Sequence, residues 1–375
     1  MRIAAITNSR IPSLTANSIQ AMKVCDALAQ LGHTVTLIAP RETPSAAWDQ
    51  LAGHYGLKHP FEVRWRPSIR PLRRLDFIWQ AHRDARRLEP DLIYTWLPQS
   101  AAVAARGGQP VVLEMHADVG GRFGAWWLKR FWSARGHKRM LVTTRALQAA
   151  LERSTGLIFP GPEVQIAPNG VDLERYARLP SPAEARQELG LPNCPTAGFT
   201  GHFYKGRGMD LLHQLARALP DVNFLWVGGT AAAVEEWRLR LSSTRVANVT
   251  MTGFIDNSKL PRYQAAADVL LMPYGRSISS SSGQDIAEVI NPMKMFEYMA
   301  AGRPILTADL PSIREILNER CAVFCAPGEL DAWKSALTTL LQNDSLREKL
   351  ARNAREVVEQ HTWVARAAGA LAGMI

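Results

Sequence analysis

The sequence has 4 cysteines in 375 residues, Cys25, Cys194, Cys321 and Cys325. They are too few and too scattered for a disulfide framework. No second Cys or His pair follows Cys321 and Cys325 at zinc spacing. No hydrophobic run approaches the roughly 20 residues of a membrane-spanning helix. The first segment turns polar after about five apolar residues, too few for the core of a secretory signal. These absences predict reduced thiols in a cytoplasmic chain, soluble or resting at the inner face of a membrane. The loop after the first predicted strand, Asn8 to Asn17, lacks glycine, so the G-x-G-x-x-G dinucleotide fingerprint is missing there. No Walker A sequence occurs either. Both absences argue against a dehydrogenase or an ATPase.

What is present is globular in composition, 47% hydrophobic and 21% charged residues, which excludes a largely disordered chain. The length predicts two domains, of about 150–200 residues each. The net charge of +10 is lopsided: residues 1–180 hold 24 Lys+Arg against 14 Asp+Glu, and residues 181–375 hold 20 of each. A basic half beside a neutral half points to two different partners.

Both halves open alike. Ile3–Thr7 reads as a strand, followed by a loop and a helix from about Ser18 to Gly32. From Thr196 the pattern returns as a strand to Thr200, a glycine-rich loop, a helix bearing Leu211, Leu212, Leu215 and Leu219, and a strand at Asn223–Val227. Further strands are expected at Leu92–Thr95, Val111–Met115, Met140–Thr143, Val164–Ala167, Val249–Met251, Val269–Met272, Pro304–Thr307 and Ala322–Phe324. Such alternation predicts an α/β chain with two parallel, doubly wound, Rossmann-like sheets. The prolines from Pro168 to Pro195 mark the linker, and the tail from Leu346 reads as helix with a break near His361-Thr362.

Two segments carry chemistry. Gly201-His202-Phe203-Tyr204-Lys205-Gly206-Arg207-Gly208 combines three glycines, which let backbone N–H groups approach an anion, with three basic side chains. That combination suits a diphosphate. In Asn291-Pro292-Met293-Lys294-Met295-Phe296-Glu297, Asn291 reads as the N-cap and Pro292 as the first helical residue. The free N–H groups near Met293 and Lys294 then form a positive end for phosphate. Glu297 lies one turn on, about 6 Å along the axis and within the span from a diphosphate to a ribose.

With these residues in view, the chain resembles a family 4 glycosyltransferase of the GT-B fold, two Rossmann-like domains facing a central cleft. The resemblance runs over most of the chain. It rests on Pro168-Asn169-Gly170-Val171-Asp172, Gly201-x5-Arg207-Gly208, Ala267-Asp268-Val269 and Glu297-Tyr298-Met299-Ala300-Ala301-Gly302-Arg303-Pro304. It implies an acceptor-binding domain at 1–180 and a nucleotide-sugar domain at 181–360. A final helix at 361–375 would cross back onto the first. It also implies transfer of a sugar from a UDP- or GDP-sugar to a saccharide or lipid-linked hydroxyl, with retention, no cofactor and no metal.

The resemblance assigns Gly201, His202, Lys205, Arg207, Met293 and Lys294 to the donor diphosphate, Glu297 to the ribose, and the backbone near Gly253 and Ile255 to the base. His202 and Arg207 stand where relatives usually have Arg and Lys. Glu297 matches the second glutamate of an E-x7-E motif whose first position here is Val289; Glu288 lies one residue off. The helix instead resembles a subgroup with N/S-P-x-K-x-x-E-Y. His116 matches a histidine at the donor–acceptor junction, Asp118 follows in its loop, and Asn17-Ser18 stands where relatives often have a glycine pair. Asn17 also reads as a helix cap. The leaving diphosphate would be stabilised by Arg207, Lys205 and the Asn291 helix end, and would itself take the acceptor proton.

Nine basic residues lie at 58–87: Lys58, Arg64, Arg66, Arg70, Arg73, Arg74, Arg83, Arg86 and Arg87. A second cluster at 122–139 interleaves Phe123, Trp126, Trp127, Phe131 and Trp132 with Arg122, Lys129, Arg130, Arg135, Lys138 and Arg139. Aromatic residues beside basic ones suit an anionic membrane surface; a solvated basic face with its aromatics turned inward is the plain alternative. Two other readings stand beside the transferase: a sugar-nucleotide epimerase or hydrolase on the same fold, and a nucleic-acid-binding protein using the basic half. No nucleic-acid-binding motif accompanies that charge, so nucleic acid is not expected as a partner.

Overall fold

A computed structural model describes residues 1–41, 45–68, 75–119, 121–279 and 285–374. The chain divides into two compact units, Met1–Asn169 with Trp363–Ile375, and Gly170–Thr362. Among the described residues, the first unit holds seven parallel strands: β1 (Arg2–Ile6), β2 (Thr34–Pro40), β3 (Glu62–Arg66), β4 (Leu92–Thr95), β5 (Val111–Met115), β6 (Lys138–Val142) and β7 (Val164–Ile166). Their order is β3-β2-β1-β4-β5-β6-β7. The second unit holds six: β8 (Thr196–Thr200), β9 (Asn223–Val227), β10 (Val249–Gly253), β11 (Val269–Met272), β12 (Ile305–Ala308) and β13 (Ala322–Cys325), in the order β10-β9-β8-β11-β12-β13. Both sheets are doubly wound and Rossmann-like, and in each the crossovers diverge between the first strand and its fourth. A ligand crevice forms at the carboxyl ends of strands at such a point.

The central strands are apolar because helices cover both faces of a parallel sheet. Leu92–Thr95, Val111–Met115, Thr196–Thr200, Asn223–Val227 and Val269–Met272 are buried throughout and occupy the spans predicted for them. Each fully buried Ile, Leu, Val or Phe among them contributes about 1.5–3 kcal/mol of transfer free energy. Glu62–Arg66 is an added strand, pairing with β2 at the sheet edge and half-buried along most of its length.

Family-type motifs in the second unit also serve packing. A Cβ on Gly198 would lie 2.7 Å from the Ala267 Cβ, so β8 and the loop leading into β11 approach through two small residues. Asp268 accepts from Thr196 N (2.8 Å) and Arg186 Nη1 (3.0 Å). Arg303 donates to the carbonyls of Ala265 and Pro180. The expected boundary at 180 falls inside the second unit. The turn at Leu173–Tyr176 belongs there because Arg175 binds Asn257 and Tyr176 binds Gln264.

Two expected helix starts shift. The first helix spans Ala16–Gln30 with Thr15 as its N-cap, so Asn17 is an exposed helical residue rather than the cap. The carbonyl of Thr15 takes the Ser18 and Ile19 amides, which leaves Asn17 no capping role. The helix at Met293–Ala300 has Pro292 as its N-cap, one residue beyond Asn291. Pro292 accepts from the Met295 amide through its own carbonyl.

Candidate functional site

In the second unit, the loop after β8 and the helix Met293–Ala300 meet at the switch point. Gly201 adopts φ +136°, and a Cβ there would stand 2.9 Å from Lys294 Nζ. That ammonium lies 3.9 Å from the Phe199 ring centroid and 5.6 Å from that of Tyr274. The Arg207 guanidinium lies 5.5 Å from the same Tyr274 ring. Burial, and then repulsion from Arg207, holds Lys294 well below the usual lysine range, and Glu297 opposes this only in part. Arg207 Nε is buried and has no hydrogen-bond partner among the described residues. Buried polar groups are normally satisfied, so this atom marks a place for an acceptor. Burial also raises the Tyr274 hydroxyl, although Arg207 acts against it.

Met293 and Lys294 open a helix, whose first N–H groups have no intrahelical acceptor. The N–H ends of that helix and the two cations thus serve one small region. Glu297 Oε2 accepts from Gln264 Nε2 at 3.1 Å. Tyr298, next to it, takes the Thr200 amide on its hydroxyl (2.8 Å) and locks the helix to the end of β8.

The glycine-rich loop differs in detail from its sequence reading. The Gly201 amide donates to the Val227 carbonyl and the Arg207 amide to that of Tyr204, so neither N–H is offered to an anion. The glycine at 208 is required by backbone packing: its φ is +86°, and a Cβ would fall 1.9 Å from the Pro273 carbonyl oxygen. His202 stacks on Tyr204, ring centroids 4.7 Å apart. Lys205 is exposed, and its carbonyl accepts from the Ser279 amide. Gly253 lies two strand ends from Gly201: its carbonyl takes the Gly228 amide at 2.9 Å, and Gly228 abuts the Gly201 carbonyl. Ile255 follows, half-buried. Val289 is buried and Glu288 exposed. The fold thus brings Gly201, Arg207, Lys294 and Glu297 together, with Phe199, Tyr274 and Gln264 added. An aromatic residue or Gln near a strand or helix end carries no signal of its own in the sequence, so these three escaped notice.

In the first unit, His116 follows β5 and its Nε2 meets Glu114 Oε1 at 2.6 Å. Glu114 also accepts a two-pronged contact from Arg366 (3.1 and 2.6 Å) and hydrogen bonds from Tyr94 and Gln20. Burial alone would raise this carboxyl; Arg366 and His116 outweigh it and hold Glu114 at about 2. Glu114 is therefore an acceptor only, so His116 Nε2 carries a proton and donates to it. Arg366 completes its own set on the carbonyls of Pro168 and Ala167. Asp118 is spent locally, accepting from the Val119 amide (2.7 Å) and the Ser154 hydroxyl. Ser18 is buried, with its hydroxyl donating to the Thr15 and Ser13 carbonyls.

The two basic clusters are mixed. Arg64 pairs with Glu62, Arg66 with the largely buried Asp84, and Arg139 caps the last helix on the carbonyls of Gly369 and Ala370. Phe131 is buried, whereas Trp79 (61%), Phe123 (53%) and Trp126 (44%) are exposed. Arg83 and Arg130 lie over Trp79 and Trp126. Arg70, Arg73, Arg74 and the Arg122 side chain lie outside the described residues. Among those described, no helix is long and apolar enough to cross a membrane.

Comparison with known proteins adds a family. Residues 18–175 match Glycosyltransferase Family 4, and residues 194–343 match Glycosyl transferases group 1. A GDP-mannose-dependent alpha-mannosyltransferase of Mycobacterium tuberculosis is 24% identical over 375 residues, 97% of this chain and 93% of that one. A sulfoquinovosyl transferase of Arabidopsis thaliana is 25% identical over 297 residues, 74% of this chain and 55% of that one. The chain spans between 35% and 55% of the length of several curated relatives it matches. Among solved structures, Anabaena HepE in complex with UDP and glucose superposes with a TM-score of 0.71 at 20% identity, over 99% of each chain. At that identity the likeness is one of fold, the GT-B fold.

Proposed function

The chain belongs to glycosyltransferase family 4, with a group 1 glycosyl transferase second half, and from that premise we propose that it moves a sugar from a nucleoside-diphosphate donor to an acceptor hydroxyl. The second unit binds the donor and the first the acceptor. One observation carries the donor assignment: the Arg207 guanidinium and the Lys294 ammonium lie 5.5 and 5.6 Å from one Tyr274 ring, and the buried Arg207 Nε has no hydrogen-bond partner among the described residues. Such a cluster is completed by an anion, and a diphosphate fits its two cations and the adjacent helix N-terminus.

In this mechanism the bond from the anomeric carbon to the phosphate oxygen breaks and a bond to the acceptor oxygen forms. The acceptor proton passes to the leaving phosphate, with retention and without a metal ion. Arg207, Lys294, Lys205 and the N–H groups at Met293 stabilise the charge as it develops, the term that usually dominates such catalysis. Glu297 takes the ribose, and the backbone at Gly253 and Ile255 takes the base. His116, oriented by the bond from its Nε2 to Glu114, hydrogen-bonds a hydroxyl of the sugar or the acceptor. A UDP- or GDP-sugar is the donor. A saccharide or lipid-linked acceptor of envelope, polysaccharide or glycolipid synthesis fits relatives named as a mannosyltransferase and a sulfoquinovosyl transferase.

A screen of nucleoside diphosphates and sugar nucleotides by thermal shift tests the donor site. The right one at 100 times its Kd stabilises the fold by about 2.7 kcal/mol. Nucleotide release that requires an acceptor identifies a transferase; acceptor-independent release points to a hydrolase, and interconversion of sugars to an epimerase. Replacing Arg207 with Ala should cut turnover by about 10²–10³-fold, and near-normal turnover would sink the assignment. The exposed Trp79, Phe123 and Trp126, with arginines over two of the rings, favour an anionic membrane surface as a second partner. Absence of co-sedimentation with anionic vesicles at low salt would remove that partner.

A further inference from the structure

Glu114, on β5 two residues before His116, is buried and held by groups from three other elements. Tyr94 of β4 lies across from Val112. Side chains alternate along a strand, so Tyr94 and Glu114 share one face of the sheet. The first helix brings Gln20 to that face, and the last helix, Trp363–Leu371, brings Arg366. Gln20, Tyr94 and Arg366 are all buried there.

The bonds divide between the two carboxylate oxygens. Oε2 accepts from Arg366 Nη1 at 3.1 Å and from the Tyr94 hydroxyl. Oε1 accepts from Arg366 Nη2 at 2.6 Å, from Gln20 Nε2, and from His116 Nε2 at 2.6 Å. A guanidinium fork fixes both oxygens at once. Burial raises the Tyr94 hydroxyl well above the ordinary tyrosine range, which keeps it a donor that pins Oε2. The carboxylate therefore cannot turn, and Oε1 is presented to the imidazole. Arg366 is fixed in its turn, donating from Nε to the Pro168 carbonyl at 2.8 Å and from Nη2 to the Ala167 carbonyl at 3.2 Å. An ion pair that served packing alone could be replaced by apolar side chains of similar volume at little cost. Here one of its oxygens reaches beyond the pair to a ring that is 26% exposed.

We propose that Arg366 and Tyr94 are positioning residues for His116, acting through Glu114 to hold the imidazole in one orientation for the transfer step. The inference rests on the reading of His116 at a sugar or acceptor hydroxyl given above. It extends that reading to the last helix, a segment with no part in the reaction so far. Both residues act through the carboxylate and not on the substrate.

Nuclear magnetic resonance of protein carrying isotopically labelled histidine reads the His116 Nε2–H proton, assigned by its loss in His116→Ala. In the intact protein that proton should exchange slowly with water, as a bond to a buried carboxylate requires. Arg366→Lys keeps the charge but not the fork, so the proton should exchange faster. Turnover, measured with the donor and acceptor found by the screen above, should fall by up to about 100-fold. Tyr94→Phe should move the same resonance and lower turnover about 3- to 10-fold. Affinity for the nucleoside diphosphate, read by calorimetry, should be unchanged in both. A lower melting temperature with resonance and turnover intact would mean a structural role only and overturn the proposal, as would equal losses of turnover and nucleotide affinity. Should Arg366→Lys fail to fold, Tyr94→Phe, which keeps the ion pair, still decides. If His116→Ala turns over normally, or the screen yields no transfer, the reading of His116 falls and this inference with it. If His116→Ala is impaired while both other variants match the intact protein, only this inference falls.

Discussion

In the first unit the carboxylate of Glu114 receives Arg366, His116, Tyr94 and Gln20, whereas in the second the ammonium of Lys294 is repelled by Arg207 and attracted by Glu297. The two units are wound in the same strand order, so the difference lies in how each buried charge is finished. The first network is closed: a deeply buried anion has more donors than lone pairs to spare, and its carboxyl is pushed down. The second is open: burial, and then repulsion from Arg207, pushes a cation toward neutrality, and Glu297 offsets this only in part. Closure holds a fold together, and openness stores free energy that an anionic ligand can release. Total charge points the other way. The first unit carries 23 Lys+Arg against 12 Asp+Glu and the second 21 against 22. The binding of a small anion is thus set by a few uncompensated charges and not by the sum over a domain.

The sharpest way to break this contrast is to remove one cation from each network. Arg366→Ala leaves Glu114 buried without its main partner, and urea unfolding should show a loss of about 3–5 kcal/mol. An effect below 1 kcal/mol would mean that the network is not closed by Arg366. The same pairing sets an acid limit. Because the folded carboxyl sits at about 2, its contribution is fully present above the unfolded value near 4.5 and is lost as pH falls from there through about 2.

Lys294→Met should do the reverse in the second unit. Repulsion from Arg207 and the cost of a buried ammonium both vanish, so stability should hold or rise, while affinity for nucleoside diphosphate falls by about tenfold or more. A destabilised variant with normal nucleotide affinity would invert the comparison.

The smallest effect is one of pH. Lys294 lies well below its ordinary range before a ligand arrives, with Arg207, Glu297 and Tyr274 as its ionisable neighbours. A bound diphosphate favours the charged form, so binding takes up a proton and affinity falls as pH rises through the free-state value. Calorimetry in buffers of different ionisation enthalpy reads that uptake directly. A pH-independent affinity with no proton uptake would show Lys294 to be charged throughout.

Much of the architecture is legible in residue order because buried parallel strands are short apolar runs. Leu92–Thr95 and Val269–Met272 need no neighbour to be recognised. The edge strand Glu62–Arg66 is not legible in this way. Its E-V-R-W-R pattern reads as part of a basic surface until β2 supplies the pairing and Asp84 the partner for Arg66. Cap positions were displaced by one residue at Asn291 and by two at Asn17, since adjacent residues compete for one local geometry. In the candidate site, Gly201, Arg207 and Glu297 could be named from type and spacing. Lys294 was read for its backbone amide, and its ammonium acquires meaning only from Phe199, far away in the chain.

Residue order alone specifies the alternating strands and helices, the presence of cations after β8 and at the helix Met293–Ala300, and the excess of positive charge in the first half. These follow from side-chain type and short-range periodicity. Which charges are matched is a different matter. Arg366 reaches Glu114 across 252 positions, and Gln264 reaches Glu297 across 33. Burial and the nearest opposite charge determine whether an ionisable group is spent or available, and both depend on contacts that form only when distant segments pack. The folded chain therefore decides that Glu114 is closed and Lys294 open, although each is a single letter of the same sequence.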